Sequence, residues 1–319
     1  MANVMKMLVT SFQRDPARLA ELQKQFQVEF VAPPRGEPTA HLARDVDAVF
    51  GSLSADEFAA AEKLRWVQSP SAGVEWMWKV PGLAESDVIV TNMRGAHAAT
   101  IAEHAFAMLL SHTRGLPFFA ARQRDHEWGR QQRQLTAIKG MTMGIVGFGN
   151  IGRAIARRAT GFEMRVLAVD AETVPAGEGV AEVWPLDRLD DLCRESDVLV
   201  NSAPITPRSR GMIGQAQLRL LKRGSYLLSM SRGGIVDEPA LVDALEEGHL
   251  AAAGIDVTAT EPLPAGDPLW TAPNLIITPH SSAGSQLTTE LVWSILTENL
   301  GRFIRGEELM NRVDIHRGY

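Results

Sequence analysis

Short apolar runs alternate with helical patterns along the chain. In the first part, apolar runs predict strands in MKMLVTS, VDAVFGS, LRWVQSP and DVIVTN, and DPARLAELQKQF predicts a helix. From Lys139 onward the runs are nearly continuous, in MTMGIVG, RVLAVD, DVLVNSA, SYLLSM, AAGIDV and NLIITP. Continuous runs are typical of strands covered on both faces, and strands that alternate with helices form parallel sheets. The pattern therefore predicts an α/β protein.

Two longer segments show helical spacing. HAATIAEHAFAMLLSHTRG has Ile101, Ala105, Met108 and Leu109 on one wide face, and LTTELVWSILTENLGRFIRG predicts a final amphipathic helix. VAPPRGEPTA is predicted as a loop from its proline and glycine content. At 319 residues the chain is long enough for about two domains.

Composition and charge narrow the class of protein. The hydrophobic fraction of 45% and the charged fraction of 22% are those of a globular chain rather than a disordered one. A net charge of −6 provides no broad cationic surface, so we expect no nucleic-acid partner. The arginine-rich stretch from Arg114 to Arg133 is interrupted by Asp125 and Glu127, and we interpret it as a solvated helix or arm.

The cysteine content and the hydropathy of the chain indicate the cellular compartment of the protein. Cys193 is the single cysteine, which excludes an internal disulfide. No stretch approaches the ~20 apolar residues of a membrane span, and the N-terminal apolar run is too short for a signal peptide. We therefore expect a cytoplasmic protein without a membrane partner.

The segment GIVGFGNIGRAIARRA carries a G-x-G-x-x-G motif, formed by Gly147, Gly149 and Gly152, between an apolar strand and a helix. In a βαβ unit the first glycine allows a tight turn, the second admits a pyrophosphate close to backbone N–H groups, and the third allows close helix packing. The helix N-terminus then stabilises the phosphates. A flavin site or a purely structural glycine turn is the alternative.

The second strand of this unit, RVLAVD, ends in Asp170. A carboxylate at that point accepts hydrogen bonds from ribose hydroxyls and repels a 2′-phosphate, so we predict NAD rather than NADP as the cofactor. The alternative is that Asp170 is only a turn residue at a strand end.

Four polar residues follow later strands of the same predicted sheet. Arg232 follows SYLLSM, Asp256 ends AAGIDV, Glu261 lies in the next loop, and His280 follows NLIITP. Ligands bind outside the carboxyl ends of strands in open parallel sheets, so we expect these residues to surround the cofactor.

Each residue type suits one task in the reduction of a 2-oxo acid. Arg232 can hold the substrate carboxylate and polarise its carbonyl, and His280 can donate or accept the proton. Glu261 can fix the imidazole and favour its charged form, and Asp256 can receive the nicotinamide carboxamide. Taken singly, Arg232 is also consistent with a structural ion pair, Glu261 with a loop carboxylate and His280 with a surface histidine. We expect no metal, because hydride transfer needs no Lewis acid.

Several long stretches together resemble the D-isomer-specific 2-hydroxyacid dehydrogenases. They are GIVGFGNIG, APITPRSRGMI, SRGGIVDEPALVDALEEGHLAAAGIDV, EPLPAGDPLW and PNLIITPH. The resemblance implies two α/β lobes with parallel sheets, Rossmann-like and flavodoxin-like, with the active site in the cleft between them.

The resemblance also implies domain boundaries. Residues 1–94 together with 284–319 are expected to form a discontinuous substrate-binding domain, and residues 95–283 the NAD-binding domain. A homodimer is implied as well, with contacts that include the Ala98–Arg114 helix.

Carried over by position, the catalytic residues implied are Arg232, Glu261 and His280. The implied cofactor-binding set is Gly147, Gly149, Asn150, Ile151, Gly152, Asp170, Pro204 and Asp256. SPSAGVEW resembles the family's substrate loop, so the backbone N–H groups of Ala72, Gly73 and Val74 are expected to bind the substrate carboxylate. The alternative there is a plain glycine turn.

Four more aromatic or histidine residues lie in or near these motifs. Trp76 and Trp78 follow the substrate loop and are consistent either with an apolar wall for the substrate or with core or dimer packing. We interpret His97 and His104 as structural.

The sequence thus predicts an NAD-dependent oxidoreductase that interconverts a 2-oxo acid and the D-2-hydroxy acid, with glyoxylate or hydroxypyruvate as candidate small substrates. It identifies neither the acid nor the physiological direction. The alternatives are an NAD-sensing, corepressor-like interaction protein and a dehydrogenase of a non-carboxylate substrate such as phosphonate. The absence of low-complexity tails counts against the corepressor-like alternative, and we expect the enzyme.

Overall fold

The structure is a computed structural model that describes residues 4–11, 15–34, 36–129 and 134–317. The chain folds into two units. The first combines Met1–His97 with Ser285–Tyr319, and the second is Ala98–Gly284. The first unit is therefore built from both ends of the chain, whereas the second is one continuous segment.

Within the described residues, a parallel sheet of five strands forms the centre of the first unit. The strands are β1 (Lys6–Val9), β2 (Glu29–Val31), β3 (Ala48–Phe50), β4 (Trp66–Gln68) and β5 (Ile89–Thr91). The helices are α1 (Pro16–Phe26), α2 (Ala40–Ala43), α3 (Ala55–Ala60) and α10 (Gln286–Arg305), with a 3₁₀ turn at Glu75–Lys79. The spatial order β2-β1-β3-β4-β5 is flavodoxin-like.

Alternate residues of strand β1 pack on opposite faces of this sheet. Met7 packs in a cluster that includes Trp293 of α10, whereas Leu8 packs with Val67 in a second cluster. Because successive side chains of a strand point to opposite faces, both faces of the sheet are covered. Helix α1 begins where the Asp15 carboxylate accepts from the amides of Ala17 and Arg18.

The second unit is built on a parallel sheet of seven strands within the described residues. They are β6 (Thr142–Val146), β7 (Arg165–Asp170), β8 (Val183–Pro185), β9 (Val198–Asn201), β10 (Ser225–Ser229), β11 (Leu250–Ile255) and β12 (Leu275–Ile277). The helices are α4 (Ala98–Thr113), α5 (Leu116–Arg124), α6 (Asn150–Gly161), α7 (Leu189–Glu195), α8 (Gln215–Leu220) and α9 (Glu238–Glu246), with 3₁₀ turns at Leu186–Arg188 and Pro268–Thr271.

The strand order of this sheet is β12-β11-β10-β9-β6-β7-β8. It is the doubly wound dinucleotide-binding order extended by one strand, and its direction reverses between β6 and β9. The two parallel sheets with their helices confirm the predicted fold class. No helix in the described ranges combines the length and apolar character that a membrane crossing requires.

Burial in the second unit explains its continuous apolar runs. All five residues of β10 are buried, with Leu228 in one apolar cluster and Leu227 in the other. Cys193 of α7 is fully buried, and burial raises the pKa of its thiol to about 12. A thiol with that pKa is protonated at neutral pH, so Cys193 acts as a small apolar core residue.

Every strand predicted from an apolar run is present, but two strands were not predicted. Both β2 and β8 have three residues and lie at a sheet edge. Neither is fully buried, so neither shows a continuous apolar run. Of the arginine-rich stretch, Leu116–Arg124 forms α5, and residues 130–133 lie outside the described residues.

Close backbone packing fixes the turn between β6 and α6. Gly147 has a φ of +89°, and a Cβ there would lie 2.7 Å from the amide nitrogen of Ala203. A Cβ on Gly152 would lie 2.2 Å from the carbonyl oxygen of Gly147. The first contact joins the turn to the end of β9, and the second seats α6 on the turn.

We expect Gly152→Ala to lower the free energy of unfolding by about 1–3 kcal/mol, because its methyl group collides with backbone that has no room to move. Gly161→Ala, in the same helix, is the matched control: a Cβ there meets nothing within 4 Å. It should be neutral or stabilise the protein by up to ~1 kcal/mol. Urea denaturation of both variants measures the difference, and equal stabilities would contradict the packing described.

Candidate active site

Three predicted site residues follow three adjacent strands of the second unit. Arg232 follows β10, Asp256 directly follows β11, and His280 follows β12. These strands are parallel neighbours, so their carboxyl ends meet at one edge of the sheet. The shared edge places residues that are distant in sequence on the same side of the unit.

His280 and Glu261 form a hydrogen-bonded pair. The distance from His280 Nδ1 to Glu261 Oε2 is 2.8 Å. The second carboxylate oxygen of Glu261 accepts from the backbone N–H of Thr258 at 3.1 Å, so the carboxylate is fixed at both oxygens. The two side chains are 41% and 39% exposed. A carboxylate bound to Nδ1 assigns the proton to that nitrogen and leaves Nε2 to exchange a proton with a ligand.

The backbone of His280 has a left-handed conformation, with φ of 51°. Residues with a Cβ adopt this region at a cost, so the surrounding contacts must hold it. The His280 amide donates to the backbone carbonyl of Asp256 at 2.8 Å. The next two amides, of Ser281 and Ser282, donate to the Asp256 carboxylate at 2.9 and 3.0 Å. Asp256 therefore holds three consecutive amides at the strand end.

The side chain of Asp256 is buried, unlike that of an exposed ligand-binding carboxylate. Its side chain is 0% exposed, and Oδ1 also accepts from the hydroxyl of Thr278 at 2.6 Å. These contacts give the carboxylate a structural function that the sequence did not suggest. Its predicted contact with the nicotinamide carboxamide stays a prediction.

Arg232 lies half-buried in the loop that follows β10, with Nη1 donating to the carbonyl of Ser231 at 2.8 Å. The next residue, Gly233, packs directly on the loop that carries Glu261, since a Cβ there would lie 2.0 Å from the carbonyl oxygen of Thr258. The arginine loop and the glutamate loop are thus in backbone contact. Sequence reasoning missed Gly233, although SRGGIVDE contains it.

Glu238 is a second residue that sequence reasoning missed. Its Oε1 accepts from the amide of Ala259 at 2.5 Å, beside the amide of Thr258 that Glu261 holds. Burial raises the pKa of Glu238, and the nearby carboxylates of Asp267, Asp237 and Glu261 raise it further, against the lowering effect of the Ala259 hydrogen bond. Two carboxylates therefore fix successive amides of the Thr258–Glu261 loop.

The turn between β6 and α6 fits the phosphates of a dinucleotide. A Cβ on Gly149 would meet nothing within 4 Å, so space lies above this residue. Gly149 caps α6 without a side-chain hydrogen bond, and the first helical bond runs from Arg153 N to Gly149 O. The amides of the first turn, including those of Asn150 and Ile151, therefore have no partners within the helix.

Asp170 ends β7 next to this turn, as predicted. Its Oδ2 accepts from the amide of Phe148 at 2.6 Å and its Oδ1 from the amide of Glu172 at 2.9 Å. The carboxylate consequently shapes the glycine-rich turn as well as carrying charge beside it. Pro204 lies exposed after β9, next to the point where the strand order reverses.

The predicted substrate loop lies in the first unit. Asn92 Nδ2 donates to the carbonyl of Ala72 at 2.9 Å, and Ser71 Oγ donates to the carbonyl of Gly73 at 2.7 Å. In a planar trans peptide the N–H points opposite to the C=O. The amides of Gly73 and Val74 are therefore directed away from these two side chains, and Asn92 was not found from sequence.

The remaining candidates occupy different environments. Trp76 is half-buried against a core cluster of the first unit, whereas Trp78 is exposed. His97 is buried. His104 lies on α4, and its Nε2 is 2.9 Å from the hydroxyl oxygen of Thr278, two residues before His280.

Residues 106–282 match the family model described as "D-isomer specific 2-hydroxyacid dehydrogenase, NAD binding domain". A glyoxylate reductase of Korarchaeum cryptofilum is 35% identical over 93% of this chain and 92% of its own length. A D-3-phosphoglycerate dehydrogenase of Methanocaldococcus jannaschii is 32% identical over 82% of this chain, and the match spans 50% of that protein.

A solved structure of a D-isomer-specific 2-hydroxyacid dehydrogenase from Xanthobacter autotrophicus Py2, in complex with NADPH and MES, is similar over 99% of this chain and 100% of its own. It superposes with a TM-score of 0.84 at 28% identity. The strand order, the glycine-rich turn and these matches lead to one conclusion. This chain is an oxidoreductase that belongs to the D-isomer-specific 2-hydroxyacid dehydrogenase family.

Proposed function

We propose that the protein is an NAD-dependent dehydrogenase that interconverts a small 2-oxo acid and the corresponding D-2-hydroxy acid. The observation that carries the proposal is the hydrogen bond between His280 Nδ1 and Glu261 Oε2, at the carboxyl edge of a dinucleotide-binding sheet. A histidine fixed by a carboxylate is a typical general acid and base. The bound nicotinamide supplies or accepts the hydride.

His280 is the proton donor in the direction of reduction. Its Nε2 gives a proton to the carbonyl oxygen as that oxygen gains negative charge, and takes the proton back in oxidation. Glu261 accepts from Nδ1 and keeps the ring in one orientation, because its other oxygen is held by the Thr258 amide. The pair can therefore serve both directions without rearrangement.

Arg232 binds the substrate anion. A guanidinium presents two parallel N–H donors to a carboxylate and polarises a neighbouring carbonyl oxygen. The backbone contact of Gly233 with Thr258 fixes the arginine loop to the loop of Glu261. Substrate anchoring and proton transfer then depend on one packed set of loops.

The amides of Gly73 and Val74, together with that of Ala72, are proposed to bind the substrate carboxylate. This proposal is supported by the hydrogen bonds that Asn92 and Ser71 donate to the carbonyls of Ala72 and Gly73. A site of backbone amides suits a small anion such as glyoxylate or hydroxypyruvate, and the relative named glyoxylate reductase agrees with this substrate class.

Replacing His280 with Asn should lower kcat by about 10²–10⁴-fold for reduction of the best 2-oxo acid, because the proton donor is lost. The affinity for NADH should change little. The assay follows NADH oxidation with acids from glyoxylate to phenylpyruvate. His41→Asn, at an exposed histidine of the first unit, is the matched control and should retain wild-type kcat.

A His280→Asn enzyme with wild-type turnover would refute the acid/base assignment. A wild-type enzyme that binds NADH tightly but reduces none of the acids would refute the proposed reaction. The second result would favour a sensing protein or a dehydrogenase of a substrate without a carboxylate.

Asp170 is proposed to favour NAD over NADP, because its charge lies where a 2′-phosphate would approach. Asp170→Asn should reduce the ratio of kcat/KM for NADH to that for NADPH by about tenfold or more, which corresponds to about 1.4 kcal/mol. Glu246→Gln, an exposed charge change on α9, should leave the ratio unchanged. An unchanged ratio in Asp170→Asn, with thermal stability retained, would contradict this function of the carboxylate.

We further propose a homodimer that uses the surface of α4 and α5. Helix α5 has no buried residue, although it begins with the sequence LPFFA. Leu116 is 53% exposed and Trp128, just beyond α5, is 94% exposed. Exposed apolar groups clustered in one segment are typical of an interaction surface.

Leu116→Asp should weaken self-association by about tenfold or more, since it places a charge on this surface. Light scattering of purified protein over a range of concentrations measures the dimer fraction. Leu287→Asp is the control, because Leu287 is a similarly exposed leucine (43%) in the first turn of α10. Equal dimer fractions for the two variants would place the interface elsewhere.

A further inference from the structure

A chain of three side chains lies behind His280 in the second unit. His104 Nε2 on α4 is 2.9 Å from Thr278 Oγ1, and Thr278 Oγ1 is 2.6 Å from Asp256 Oδ1. The direct distance from His104 Nε2 to Asp256 Oδ1 is 3.9 Å, so the threonine hydroxyl bridges the two groups. The residues come from α4, from the end of β12 and from the end of β11.

The chemistry of the groups fixes the direction of these hydrogen bonds. A carboxylate has no hydrogen to donate, so the single hydrogen of the Thr278 hydroxyl goes to Asp256. The hydroxyl oxygen then accepts from His104, which requires a hydrogen on Nε2 of that ring. The chain therefore runs in one direction, from His104 through Thr278 to Asp256.

The carboxylate at the end of this chain holds the segment of the proposed acid/base. Its two oxygens accept from the amides of Ser281 and Ser282. His280 lies directly before them in a left-handed conformation that needs external support. Loss of the Thr278 hydrogen bond would leave the Ser281 amide as the remaining donor to Asp256 Oδ1 and would weaken the hold on that oxygen.

Helix α4 contacts this segment on both sides of His280. His104 meets Thr278 before it, and the hydroxyl of Thr100 donates to the carbonyl of Ala283 after it at 3.4 Å. The helix is itself fixed, because Ile101, Ala105 and Met108 pack in the apolar cluster of the sheet. A rigid helix thus supports the segment at two points.

We propose that His104 and Thr278 are positioning residues for the reaction: they orient the Asp256 carboxylate, which in turn sets the position of His280. The inference rests on the proposed function of His280 as acid and base. Neither residue touches the substrate in this proposal. Instead, they set the angle at which the imidazole of His280 meets the carbonyl oxygen of the substrate.

The test compares Thr278→Val, which keeps the branched shape and removes the hydroxyl, with Thr278→Ser, which keeps the hydroxyl. Thr278→Val should lower kcat roughly tenfold, the equivalent of one hydrogen bond, with KM for the 2-oxo acid within about twofold of wild type. Thr278→Ser should recover most of the loss. His104→Phe should reproduce the effect of Thr278→Val, and His104→Gln, whose amide can donate, should recover part of it.

Two NMR measurements on the intact protein do not depend on activity. Amide hydrogen exchange of Ser281 and Ser282 should be about tenfold faster in Thr278→Val than in wild type. A ¹⁵N-edited spectrum of the imidazoles should show a hydrogen on Nε2 of His104. Exchange rates equal to wild type, or a His104 ring protonated at Nδ1 alone, would overturn the proposal.

The kinetic result separates positioning from folding. Faster exchange with an unchanged kcat would also overturn the proposal, since the segment would be loosened without consequence for the reaction. A wild-type enzyme that reduces no 2-oxo acid would refute the proposed function instead, and the exchange rates would then decide whether the chain of side chains holds the segment.

Discussion

The buried carboxylate of Asp256 is the contact on which the edge of the seven-stranded sheet depends. It stands at the end of β11 and accepts from the hydroxyl of Thr278 and from the amides of Ser281 and Ser282. A buried carboxylate is costly unless it is hydrogen-bonded, and these three donors serve both of its oxygens. The ends of β11 and β12 are thereby tied together, and His280 is held between them.

The parallel arrangement of the strands brings these residues to one edge of the sheet. Residues 232, 256 and 280 are far apart in sequence, yet each follows a strand whose carboxyl end lies at the same edge. The core residues of the strands face helices on both sides, so the strands themselves have little freedom. The three residues thus follow tightly packed strands, which limits the movement of their backbones.

Much of the fold was predictable because buried strands appear in the sequence as apolar runs. Strands such as β10 are buried throughout, and the G-x-G-x-x-G motif directly follows β6. The short edge strands β2 and β8 show no such run, since neither is fully buried. For the site, residue type and position after a strand were enough to predict Arg232, Glu261 and His280 as one group. The structure shows the hydrogen bond between His280 and Glu261.

The supporting contacts were beyond sequence reasoning for a different reason. His104 and Thr278 are separated by most of the second unit, and no local pattern joins them. Asn92 and Glu238 act through backbone groups, which any amino acid provides. Their partners are set by the packing of loops rather than by complementary residue types, so only the folded structure identifies them.

The contact of Gly233 with Thr258 has a consequence for how the site responds to change. With no side chain on Gly233, the two loops are in direct backbone contact, so a displacement of one loop would disturb the backbone of the other. The spacing between the backbone of the arginine loop and that of the glutamate loop is therefore set by this contact. A residue larger than glycine at position 233 would push the two loops apart, so the backbone positions of Arg232 and Glu261 are linked through this contact.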